Sequence, residues 1–90
     1  MDKGKYDEAV SLKEILESVN KLIVETRAMR KELREAEAEL EKTFKSKKVS
    51  LLTYDIQKER IRRDHQEIDH SLRSLDRQRK IFLEKLRELE

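Results

Sequence analysis

The side chains able to do chemistry are few, and they collect in one stretch of the chain. His65 and His70 are the only imidazoles, and there is no cysteine. Asp69, His70, Ser71 and Ser74 supply the residue types of a hydrolytic triad. Glu67 and His70 have the Glu-x-x-His spacing by which inward-facing helices hold di-metal centres in four-helix bundles. Placement argues against both chemistries. A triad must converge on a pocket with a positioned oxyanion site, whereas these residues follow one another along a single helical stretch. In the heptad described below, Glu67 and His70 fall at c and f, facing outward, and the other arm offers no inward Glu at that level. The expectation is a non-enzymatic chain with no catalytic residue, metal ligand, cofactor or small-molecule substrate. His65 falls on the seam opposite Met29, where it reads as a tolerated polar marker.

Charge recognition is the second chemistry available. Arg63, His70, Arg73, Arg77, Lys80 and Arg87 follow helical spacing at the b and f positions, interrupted by Gln66 and Glu84. Such a stripe can track phosphates on nucleic acid or an anionic membrane. The net charge is only +2, so the chain as a whole has no strong attraction for polyanions. No aromatic ring interleaves with the stripe to stack on bases. Arg63, Arg73, Arg77, Lys80 and Arg87 are therefore candidate polyanion contacts in a secondary reading.

Helices must position these groups, because little else can be built. Of 90 residues, 22 are Lys or Arg and 20 Asp or Glu, with one Gly and no Pro or Trp. Sheets need turns, and turns need clusters of Gly, Pro, Asn and Asp. The composition instead suits a long helix or coiled coil. No apolar run approaches the roughly 20 residues of a membrane span, and the first ten residues lack a signal-peptide core. Together with the missing cysteines, this makes a soluble, cytoplasmic protein the expectation.

Heptad spacing supplies the architecture. In the first arm one row is Leu12, Val19, Thr26, Leu33 and Leu40, and a second is Ile15, Leu22, Met29, Ala36 and Thr43. In the second arm Tyr54, Ile61, Ile68, Leu75, Phe82 and Leu89 form one row. Leu51, Leu72 and Leu86 share the other with Lys58, His65 and Arg79. Rows sustained this long indicate coiled-coil arms. Ser11 with Glu14 reads as a capping box, and Ser50 as the cap of the second arm with Thr53 in place of the usual Glu. Phe44–Tyr54 resembles the turn of many helical hairpins, and the resemblance implies a reversal of direction there. The fold expected is all-α: a long antiparallel hairpin pairing into a four-helix bundle. Residues 1–10 are a flexible segment, 11–45 a helix, 46–50 the turn and 51–90 a helix. Folding about Lys47 pairs residues whose numbers add to 94, so Ala36 faces Lys58 and Leu22 faces Leu72.

Apolar residues off these rows point to function. Leu16, Ile23 and Val24 in the first arm, and Ile81 and Leu83 in the second, widen the stripe beyond what two helices cover. Leu86 and Leu89 face only Glu8 and Lys5 in this register. These seven residues are the expected association interface, with a homodimer or a helical protein partner as occupant. Phe44, Leu52 and Ile56 are expected to plug the turn. Function is read as assembly or scaffolding through helix-bundle association, ahead of polyanion binding.

Overall fold

The computed structural model describes residues 3–90. Helix α1 runs Lys3–Lys45 and helix α2 Leu51–Leu89, packed along their lengths in a rod of 68 × 15 × 13 Å. The architecture is the all-α helical hairpin that the heptads predict.

The chain reverses by local chemistry. Lys48 N–H donates to the Thr43 carbonyl and Lys47 N–H to the Phe44 carbonyl, both at 3.0 Å. That 6→1 and 5→2 pair is a Schellman motif. Its left-handed position is Lys47, at φ 60°, where Gly is the residue that avoids the Cβ clash. Three residues later Ser50 is extended, and its hydroxyl accepts from Thr53 N–H at 3.2 Å. Thr53 takes no part as the back-reaching member of a capping box; its hydroxyl accepts from Ser50 at 3.0 Å.

The hydrophobic seam corrects the first arm's phase. Leu12, Val19 and Leu40 are buried as expected, but their companions are Leu16 and Ile23, only 7% and 3% exposed. The expected companions Ile15, Leu22 and Met29 stand 40–55% exposed. The second row is therefore Leu16, Ile23, Arg30, Glu37 and Phe44, one position further along the chain. The second arm's rows hold, with Ile68 and Leu72 buried and Leu75 packed against the Val19–Ile23–Ile68–Leu72 cluster. Leu51 is an exception at 62% exposure, because it lies beyond the last seam layer. The polar seam residue Thr26 is satisfied locally, donating to the Leu22 carbonyl at 2.6 Å, and Thr43, in the row left outside, donates to that of Leu40 at 2.9 Å.

The register shifts with the phase. Phe44 stacks on Tyr54, Arg30 pairs with Asp69 and Glu41 pairs with Lys58. Facing numbers thus add to 98 or 99, one helical turn from the expected 94. Ala9 comes level with Leu89, and Leu12 with Leu86, so α1 extends back to Lys3 where a flexible segment was expected. Residues 1–2 of that segment lie outside the described residues. Ser11 and Glu14 fall mid-helix, where an uninterrupted helix leaves no orphan N–H for a capping box to satisfy. Phe44 does close the turn end, by stacking 4.1 Å from Tyr54, but Leu52 and Ile56 point to solvent and plug nothing.

Alanine substitution separates the two phases. Ile23→Ala should cost about 2 kcal/mol or more by cavity formation, and Leu22→Ala about 1 kcal/mol or less, read from urea unfolding midpoints. At the turn, Lys47→Gly should stabilise the chain by about 0.5–1 kcal/mol, since relief of the left-handed strain exceeds the entropy cost of glycine.

Candidate functional site

Seven polar side chains from the two helices meet along the half of the seam nearer the turn. The Tyr54 hydroxyl donates to Glu41 Oε1 at 2.6 Å. Lys58 Nζ donates to the same oxygen at 2.9 Å and to the Tyr54 hydroxyl at 2.8 Å. One level deeper, His65 Nε2 lies 3.1 Å from Glu37 Oε2. Arg30 Nη2 donates to Asp69 Oδ1 beyond it. His65 thus meets Glu37 rather than Met29, and Lys58 meets Glu41 and Tyr54 rather than Ala36. These pairs fasten one register. Glu67 and His70 are both exposed, and no cluster of metal-binding side chains forms among the described residues. Of the triad residue types, Asp69 is engaged with Arg30.

The true seam gives the hairpin two unlike flanks. On one flank α1 presents Ile15, Leu22, Met29 and Ala36. Opposite them α2 offers the small residues Ser71 and Ser74, so the surface opens into a groove. Its volume is about 570 Å³, and its floor is Thr26, Met29, Leu33, Ala36, Ile68 and Ser71. Glu32, Asp64 and Glu67 form the rim, and no ion pair within the described chain neutralises any of them. A shallower cleft continues toward the open end, lined by Leu22, Thr26, Ser74 and Leu75 among others.

The opposite flank is basic. Arg27, Arg30 and Arg73 converge on a cleft with Asp69 and Asp76. Both carboxylates are engaged: Asp69 by Arg30, and Asp76 by Arg79, whose Nη2 stands 3.3 Å from Oδ1. That Asp76 oxygen is buried without a hydrogen bond, so the attraction to Arg79 is what compensates it. Arg63, Arg73, Arg77, Lys80 and Arg87 are all exposed along α2, as the stripe requires.

The chain resembles no family model, curated protein or solved structure at a meaningful level. Its function must be argued from its surfaces.

Those surfaces redraw the expected association interface. Leu16 and Ile23 are spent inside the hairpin, and Leu86 and Leu89 are half-buried in the same seam. Val24, Ile81 and Leu83 remain exposed, but heptad positions b, c and e place them on different sides of the rod, so they make no common patch. The coherent apolar row is Ile15, Leu22 and Met29, which the sequence reading assigned to the core. The usable signal was three apolar residues per heptad in the first arm, one more than a two-helix seam absorbs.

The polar cluster at the turn end responds to acid. The hydrogen bond from Tyr54, then that from Lys58, holds the Glu41 carboxyl below its ordinary value of 4.5. A depressed carboxyl stabilises fully above that ordinary value and loses its contribution as pH falls through the lowered one. Lys58 is shifted upward by Tyr54 and Glu41, so its share is complete at neutral pH. Amide exchange around Lys42–Tyr54, corrected for intrinsic rates, should accelerate on acidification below pH 4.5. Glu41→Gln should flatten that dependence.

Proposed function

We propose that this chain is a non-enzymatic assembly module whose groove takes one further helix from another protein. The observation that carries this reading is the row Ile15, Leu22 and Met29, left in water beside the groove floored by Ala36 and Ser71. Covering aliphatic side chains of this size contributes roughly 1.5–3 kcal/mol each when burial is complete, and proportionately less for residues already half-covered. Ala36, Ser71 and Ser74 are small enough to let a third backbone approach.

Charge selects the occupant. Glu32, Asp64 and Glu67 rim the groove, and Glu25 and Glu39 extend the same side of α1, five acids against Arg60 and Arg63 nearby on α2, the latter sharing a cleft with Glu67. A second copy laid groove to groove would set these acids against their own counterparts. That argues against the paired-hairpin dimer expected from sequence and favours a helix with Lys or Arg bordering its apolar stripe. A cytoplasmic setting belongs to the same reading and is supported by the absence of cysteine.

The probe is a synthetic amphipathic peptide with a leucine stripe and lysine flanks, compared with a glutamate-flanked twin. The lysine-flanked peptide should bind, the twin should not, and added salt should weaken the complex. Joint Leu22→Glu and Met29→Glu should abolish binding with little change in melting temperature. Reversing Glu32 and Glu67 to Lys should switch the preference to the glutamate-flanked peptide. A dimer of the chain alone, dissociated by the Leu22 and Met29 changes, would keep the assembly reading and replace its occupant with a second copy.

A further inference from the structure

We propose that the turn end of the rod is a docking tip for an anionic lipid surface, a site independent of the groove and of its partner helix. The two most exposed large aliphatic residues of the first turn of α2 are Leu51 and Leu52, at 62% and 71%. Ile56, one turn beyond Leu52 on the same face, is also exposed. Leu51 and Leu52 precede the last seam layer, which the Phe44–Tyr54 stack closes, and Ile56 lies on the outer face of α2, two residues past the Tyr54 seam position and two before that of Lys58.

Around these aliphatics stand Lys42, Lys45, Lys47 and Lys48, all exposed. No ion pair within the described chain engages these four lysines. The nearby acids Glu41 and Glu59 are already held by Lys58 and Arg62, which leaves Asp55 as the uncompensated carboxylate of the tip. Lysine clusters and protruding aliphatics together match a membrane interface, where ammonium groups meet lipid phosphates and leucines enter the headgroup–acyl boundary. An acidic polypeptide would satisfy the lysines but leave Leu51 and Leu52 without a purpose. Duplex nucleic acid would do the same. Geometry agrees with end-on contact: the rod is 68 Å long and about 15 Å across, so a flat surface meets the tip while the groove stays open along the side.

No rearrangement is needed for this contact, since Leu51, Leu52, Ile56 and the four lysines are already at the surface. Two weak signals acting together also suit a reversible contact, as membrane anchoring by a single weak element is marginal.

The test is co-sedimentation of the full chain with vesicles of phosphatidylserine and phosphatidylcholine, and with phosphatidylcholine alone. Binding should require the anionic lipid and fall with rising salt. Lys45, Lys47 and Lys48 changed together to Gln should lower partitioning roughly a hundredfold, at about 1 kcal/mol per lysine. Leu51→Ser with Leu52→Ser should lower it as well while leaving helicity, followed by circular dichroism, unchanged. No binding to the anionic vesicles would overturn the proposal. So would binding that survives the tip changes but is lost on Arg73→Glu, Arg77→Glu and Lys80→Glu, because the stripe on α2 would then be the lipid contact. Binding to polyglutamate that equals vesicle binding and ignores the leucine changes would overturn it too, in favour of an acidic polypeptide.

Discussion

Two helices share one seam, and every other feature of this hairpin follows from that limit. A single seam buries about two residues per heptad from each helix. The open half of α1 carries three, in Leu12, Ile15, Leu16, Val19, Leu22 and Ile23. One row had to be left out. Hydrophobicity does not choose between Ile15–Leu22 and Leu16–Ile23, since the pairs are chemically equivalent. The choice is made by the other half of the helix. Rolling Leu16 and Ile23 inward also brings in Arg30, Glu37 and Phe44, which find Asp69, His65 and Tyr54 waiting on α2. Rolling Ile15 and Leu22 inward would bring Met29, Ala36 and Thr43 instead. Ala36 would make a thin layer, and the aromatic stack that closes the turn would be lost.

Legibility in the sequence followed the same ambiguity. The second arm was readable because Ile61, Ile68, Leu75, Phe82 and Leu89 have no rival row of equal strength, and the structure keeps both of its rows. Ser50 was readable as a cap because it follows a segment poor in apolar residues and precedes a new phase. The first arm was readable only as far as the row through Leu12, Val19 and Leu40. Its companion row hinged on cross-helix polar partners, which no single-helix pattern displays. The error then propagated: a phase off by one residue moved the register by one turn, stripped Leu86 and Leu89 of partners, and made residues before Ser11 look unattached. The Ser11–Glu14 box reinforced it, because capping residues carry their meaning only where a helix actually begins.

The candidate surfaces were less legible than the fold, for a related reason. A residue's availability to partners is what remains after the seam is chosen, so the same phase error that put Leu22 and Met29 in the core put Leu16 and Ile23 on the surface. The basic stripe on α2 escaped because it lies on the b and f positions, far from the disputed row. What sequence could not display is how differently the acids of the two flanks are compensated. Asp69 and Asp76 are engaged by Arg30 and Arg79, whereas Glu32, Asp64 and Glu67 are left unpaired around the groove.

That difference bears on why polar residues occupy seam positions at all. Exposed or half-exposed ion pairs add little stability, about 0–1 kcal/mol each, so Arg30–Asp69 and Glu41–Lys58 are poor substitutes for leucines as stabilisers. Their value lies in discrimination. An apolar layer accepts a neighbour displaced by a heptad at modest cost, but slippage one way would set Glu37 against Leu72, and slippage the other way would set Arg30 against Arg62. The polar layers lie between the turn and the buried cluster of Val19, Ile23, Ile68 and Leu72, where slippage would otherwise be cheapest. Fixing the register there fixes which α2 residues stand beside Met29 and Ala36. The groove has a defined floor because the seam next to it cannot slide.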